Sequence, residues 1–136
     1  MPLIYRTMTR EGDKPKVGPS ARTLGVRPGV DIVPDEGDMV LPQTGGMSVA
    51  PSWRKLPPHR IPLRLQPLVR DACGKDEDAC WRMGSGEFID SKLTESLSLR
   101  RDKTFHGLVE PSRRIGLNEF QTALAASRDL WEIDEA

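Results

Sequence analysis

Two cysteines, two histidines, three phenylalanines and one tyrosine in 136 residues leave little material for several kinds of chemistry. Cys73 and Cys80 alone make no disulfide framework and read as two reduced thiols; a zinc site would need two further ligands, which His59 and His106 are poorly spaced to supply. No HExxH, no CxxC pair and no Asp-rich calcium loop occurs. No apolar stretch approaches the roughly 20 residues that span a bilayer, so no membrane partner is expected. The start, Met1-Pro2-Leu3-Ile4-Tyr5-Arg6, lacks a basic leader followed by an apolar run, so no secretory signal is read and the cytoplasm is the expected compartment. An excess of one charge is missing too. Twenty basic residues balance twenty acidic ones, so nucleic acid is not an expected partner unless a local patch provides for it.

Large apolar residues are sparse. Leu, Ile, Val and Phe number 31 of 136, just above the composition at which a chain no longer buries enough surface to fold. The length suits one small domain with a thin core, spanning residues 1–136. Eleven of the twelve prolines and seven of the twelve glycines lie in residues 1–67. Proline fixes φ and removes a donor, so beyond residues 3–11 the first half has no room for an ordinary helix. That excludes a helical bundle, a coiled coil and a βαβ nucleotide fold with an N-terminal Gly-rich fingerprint.

What is present reads as short strands. Leu3-Ile4-Tyr5-Arg6-Thr7 is apolar and β-branched and predicts a strand. Residues 12–29 are broken by Gly12, Pro15, Gly18, Pro19, Gly25, Pro28 and Gly29 and predict a long loop of a kind that usually carries function or is disordered. Val30-Asp31-Ile32-Val33 and Met39-Val40-Leu41 predict a hairpin around a polar turn. Gly45-Gly46 frees the backbone just before Ser48, for a sharp turn or close approach to a ligand. Residues 39–70 contain no acid but carry Arg54, Lys55, Arg60, Arg64 and Arg70, and Ile61, Leu63 and Leu65 alternate there as an edge strand would. Trp81-Arg82-Met83 and Glu87-Phe88-Ile89 flank a turn at Gly84-Ser85-Gly86. Leu93, Leu97 and Leu99 continue a meander that ends with Phe105–Glu110, closed by Pro111. Asn118 with Gln121 predicts a capped helix whose Phe120, Ala123, Leu124, Ser127 and Trp131 share a core-facing stripe. Together these features predict an α+β domain with few helices and a C-terminal one.

Three short blocks stand out for chemistry: Tyr5-Arg6 early, Leu41-Pro42-Gln43-Thr44-Gly45-Gly46-Met47-Ser48-Val49 in the middle, and Thr104-Phe105-His106-Gly107-Leu108-Val109-Glu110-Pro111 late. With Asp31-Ile32-Val33, their order resembles small effector toxins of the bacterial type VI secretion system that have an ADP-ribosyltransferase-like fold. The resemblance implies a twisted, split β core around a cleft for nicotinamide adenine dinucleotide (NAD). It implies that Arg6 holds a phosphate or ribose, that Ser48 orders the nicotinamide ribose, and that Tyr5, Gly45, Gly46 and Met47 border the same site with His106 in its wall. It further implies delivery from a producer's cytoplasm into that of a target cell and a cognate immunity protein as partner. Met47 stands where the family commonly has Thr, which removes a hydroxyl donor.

Breaking the nicotinamide–ribose bond develops positive charge on the sugar, so a carboxylate is favourable. No Glu-x-Glu pair is evident. Glu110 is the first choice because it shares an element with His106, ahead of Glu119. Arg6 and the Gly45-Gly46 turn could hold the phosphates. On this reading alanine at Arg6 or Ser48 relieves toxicity in a bacterial cell and leaves the fold intact. Two other classes stay open: a ribonuclease-like toxin with His106 as acid or base and residues 54–70 on the RNA backbone, and a non-catalytic module whose Pro-rich half docks a partner.

Overall fold

In the computed structural model, which describes residues 1–136, the longest strand is β1 (Ile4–Glu11), buried on both faces from Ile4 to Met8. β-Branched and aromatic side chains suit such a pleated, enclosed position. Strands β2 (Lys14–Pro15), β3 (Met39–Val40), β4 (Met47–Val49), β5 (Asp78–Met83), β6 (Ser91–Lys92), β7 (Leu97–Lys103), β8 (His106–Pro111) and β9 (Ile115–Gly116) lead to helix α1 (Leu117–Ala126) and strand β10 (Glu132–Ile133). The result is an α+β domain of mostly antiparallel strands with one helix near its C-terminal end.

The strands form two four-stranded antiparallel sheets, in the order β10-β5-β1-β2 and β4-β8-β7-β6, and β3 pairs with β9. Arg6 lies opposite Trp81 in the first sheet, and Ser48 lies opposite Leu108 in the second. The sheets are joined at one point. Tyr5 and Ala50 exchange backbone hydrogen bonds of 2.8 and 2.9 Å, and the strands diverge from there.

Alternation along the strands sorts two cores. Ile4 and Met8, with Ala79, Trp81 and Met83, face Met47, Val49, Leu97, Leu99 and Val109 of the second sheet and Phe120 and Leu124 of α1. Tyr5 and Cys80 face the opposite way, onto Ala50, Trp53, Leu56, Ile61 and Ala72. Three tryptophans compensate for the shortage of aliphatics. Their buried indole N–H groups are all satisfied: Trp81 donates to the Met8 carbonyl at 2.9 Å, Trp131 to Ser127 Oγ at 3.1 Å and Trp53 to the Ala136 carbonyl at 3.1 Å.

Several sequence expectations change. The hairpin of residues 30–33 with 39–41 does not form: Val30 and Val33 are 67% and 63% exposed, and Met39–Val40 pairs with β9 instead. Residues 61–65 are not an edge strand. Prolines 57, 58 and 62 precede or begin tight 3₁₀ turns at Pro58–Arg60 and Leu63–Leu65, as their fixed φ favours. Glu87-Phe88-Ile89 is irregular, and β5 pairs with β1 and β10 rather than with it. The helix starts one residue before Asn118 and has no side-chain cap. Gln121 instead accepts from Val26 N (3.1 Å) and donates to Val26 O (2.8 Å), imitating a strand partner for the loop.

That loop, residues 12–29, is ordered by polar contacts. Arg22 grips the buried Asp78 with two bonds of 2.8 Å, and Thr9 donates to the same carboxylate. Gly25 is needed for close approach: a Cβ there would lie 2.2 Å from the Gly18 carbonyl.

The stretch after Trp131 returns along β5. Tyr5 donates to Asp134 at 2.7 Å, and Glu135 accepts from Cys80 N and Arg64. Burial, then the Asp134 contact, raises the Tyr5 phenol from 10.0 to about 12. Burial, then the Glu135 charge, raises the Cys80 thiol from 9.0 to about 12. Both acids therefore hold their protons more tightly when folded. Their contribution is intact below pH 9.0 and is lost as pH rises toward 12. Stability followed by urea denaturation should decline from pH 9 toward 12, and in Cys80→Ala the decline should begin near 10; a flat profile for the parent over that range would contradict the assignment.

Candidate functional site

A cleft of about 480 Å³ opens where the two sheets part. Its floor is Arg6 and Thr7 of β1 with Ser48 to Ala50 of β4 and the residues after it. One wall is the 3₁₀ segment carrying Lys55, His59 and Arg60, another is the β7–β8 turn carrying Lys103, Phe105 and His106, and Arg27 and Asp31 come from the chain leading to β3.

Arg6 is 6% exposed and has no carboxylate within ion-pair distance. Its guanidinium is held by backbone carbonyls instead: Nε and Nη2 donate to Thr23 (3.2 and 3.0 Å), Nη2 also to Ser20 and Ala21 (both 3.3 Å), and Nη1 to Ser48 (2.9 Å). Burial pushes its pKa down to about 10; the Asp31 charge opposes that fall, while Arg60 and Arg27 add to it. Arg6 is a buried cation with no carboxylate in contact, Asp31 acting on it only at a distance, and an anion in the cleft would supply a direct partner.

Lys55, Arg60 and Lys103 line the same cleft and also have no acidic partner, whereas Arg22, Arg27, Arg64, Arg82, Arg100, Arg113, Arg114 and Arg128 are each ion-paired. In a chain of zero net charge, four cations without an ion-pair partner thus line this one cleft. Asp31 is the carboxylate among the lining residues, and Arg27 grips it with bonds of 2.7, 3.1 and 2.9 Å from its backbone and side chain. Partial burial pushes Asp31 up, but the Arg27 hydrogen bonds outweigh it and keep the carboxyl below its ordinary value.

His106 Nδ1 lies 2.6 Å from Asp102 Oδ1. An irregularity in the β7–β8 register between Arg101 and Lys103 makes this contact across the turn. Asp102 is held below the usual aspartate value, the His106 contact outweighing partial burial. A neutral ring whose Nδ1 donates to that carboxylate presents Nε2 as an acceptor, the arrangement of an oriented general base. The Ser48 hydroxyl makes no hydrogen bond within the chain, and its side chain is exposed on the cleft floor.

Of the residues singled out from sequence, Arg6, Ser48 and His106 meet in this cleft. Tyr5 points into the second core beside Asp134. Met47 is core. Gly45 and Gly46 serve backbone packing: Cβ atoms there would lie 2.2 Å from the Asp31 carbonyl and 2.4 Å from the Val109 carbonyl, and Gly46 N donates to Asp31 O at 2.9 Å. Glu110 is buried away from the cleft, bound to Arg100 at 2.9 Å and to Gln43 N at 2.9 Å; Glu119 contacts Arg113. Asp31, Asp102, Lys103 and Phe105 drew no site role from sequence. An Asp four residues before a His across a turn was the available signal for Asp102. Of the five Arg and Lys residues in the acid-free window, only Lys55 and Arg60 line the cleft; Arg64 is spent on Asp76 and Glu135.

Compared with protein-family models, with curated proteins and with solved structures, the chain matches none. No group of three or more His, Cys, Asp or Glu side chains is placed to hold a metal ion, and no helix is long and apolar enough to cross a membrane.

The Arg6 contacts revise one expectation. Arg6→Ala strips several carbonyls of their donor and should cost about 3 kcal/mol or more, whereas Ser48→Ala should stay within about 0.5 kcal/mol of the parent; equal melting temperatures for all three proteins would refute the structural role of Arg6. Inorganic pyrophosphate should raise Tm, by about 2.7 kcal/mol of added stability at a hundredfold excess over Kd. Arg60→Ala should reduce that shift, and a Tm indifferent to pyrophosphate would argue against an anion cleft.

Proposed function

We propose that the cleft binds NAD and breaks its nicotinamide–ribose bond, the chemistry of an ADP-ribosyltransferase-like toxin. The observation that carries this reading is the meeting, at the point where the sheets split, of Arg6 from the first strand with Ser48 from a middle strand. The resemblance noted in the sequence adds the setting: action inside a target cell, with neutralisation by an immunity protein in the producer.

The residues present suit the ligand's parts. The unpaired charges of Arg6 and Arg60 match a pyrophosphate. The free Ser48 hydroxyl can hydrogen-bond a ribose hydroxyl. Asp31, ionised at neutral pH, supplies the negative charge that favours an oxocarbenium-like sugar, the role first assigned to Glu110. The nicotinamide leaves as a neutral amide and needs no acid. His106 Nε2 can take a proton from the attacking group.

A second reading, cleavage of RNA phosphodiesters, is favoured by the His106–Asp102 contact beside unpaired cations. Purified protein should release nicotinamide from NAD, with Asp31→Asn lowering kcat about a hundredfold and Ser48→Ala reducing it while remaining folded. Intact NAD together with fragmented RNA would reject the first reading in favour of the second.

A further inference from the structure

The cleft holds more positive charge than a dinucleotide requires. A pyrophosphate is matched by the deeper pair, Arg6 and Arg60, which are close enough for the charge of one to depress the pKa of the other. Lys55 and Lys103 are left over, both exposed at the mouth and both without an acidic partner. Phe105, two residues after Lys103 in the same turn, is a large aromatic left 51% exposed in a chain poor in aromatics. The Lys55 ammonium sits 4.2 Å from its ring centroid, so the two walls of the cleft meet there through a cation–π contact.

An exposed ring in a cleft mouth that also carries unpaired ammonium groups is the combination that holds single strands: a base stacks on the ring while its neighbouring phosphates meet the cations. A duplex keeps its bases stacked on one another and offers no free face. We infer that the outer half of the cleft, formed by Lys55, Lys103 and Phe105, binds a single strand of nucleic acid, which makes that strand the acceptor of the ADP-ribosyl group.

The acceptor role, unlike the binding, rests on the NAD reading above. In the transfer, the nicotinamide–ribose bond breaks and its electron pair leaves with nicotinamide. A hydroxyl oxygen or ring nitrogen of the strand bonds to the freed ribose carbon, and the proton it sheds passes to His106 Nε2, whose Nδ1 Asp102 holds.

Binding is tested on the full chain without NAD, by fluorescence anisotropy of short single-stranded RNA and DNA oligonucleotides over a range of salt. Affinity should fall with salt at a log–log slope of about −2, as for about three phosphate contacts on a single strand. The double variant Lys55→Ala with Lys103→Ala should bring the slope to about −1 or shallower. Phe105→Ala should weaken binding about tenfold with the slope unchanged. Arg70→Ala, exposed and outside the cleft, should match the parent. No binding, or a slope indifferent to the two lysines, overturns the inference. Labelled NAD should then place label in the oligonucleotide, RNA or DNA identifying the strand. Label on protein alone overturns the acceptor role. NAD turnover without strand binding overturns the inference and leaves the NAD reading standing; strand binding without NAD turnover overturns the NAD reading and with it the acceptor role, and leaves the strand-binding site standing.

Discussion

Everything around the cleft depends on how one guanidinium is satisfied. Arg6 rises from the middle of the central strand into a buried position where no carboxylate waits, and it is tolerated because carbonyl oxygens of Ser20, Ala21, Thr23 and Ser48 converge on it. Those carbonyls belong to a loop that has no regular structure and to the edge strand of the other sheet. A single side chain therefore links the first sheet, the second sheet and the glycine- and proline-rich segment. A lysine would not serve, since its point-like ammonium cannot reach carbonyls on several sides at once.

This arrangement leaves the charge itself unneutralised, which ties stability to function. Dipoles solvate a buried cation less well than a counterion does. The cleft extends the imbalance outward through Arg60, Lys55 and Lys103, while the buried acids Asp78 and Glu110 are held in ion pairs with Arg22 and Arg100. A neutral composition thus conceals a polarised molecule, because pairing and not total charge decides the local field.

The α+β class, the scarcity of helix and the late strand at His106 were legible because local β-propensity and proline breaks act over a few residues. Partner choice was not. Val30–Val33 looks as strand-like as Met39–Val40, yet it makes only isolated bridges at Ile32, whereas Met39–Val40 is offered a strand, β9, about seventy-five residues on. Residues 61–65 alternate like a strand, but the prolines before them bend the chain into 3₁₀ turns. At the site, Arg6, Ser48 and His106 could be named from short motifs. Asp31 and Asp102 could not be given roles, since one is brought in by a hydrogen bond to Gly46 and the other by a strand irregularity, neither written in local pattern. Glu110 shows the limit of reasoning by shared element: it lies on the strand of His106 but is claimed by Arg100.

The order of strands has a further consequence for how the molecule comes into being. Ile4 pairs with Met83 and Glu132 with Arg82, so the first sheet is assembled from opposite ends of the chain, and the tyrosine next to Arg6 finds its hydrogen-bond acceptor at Asp134. Contacts so distant in sequence form slowly and late. During synthesis β1 would have only the short β2 beside it until β5 emerged, and the cleft would be complete only once the β7–β8 turn had followed.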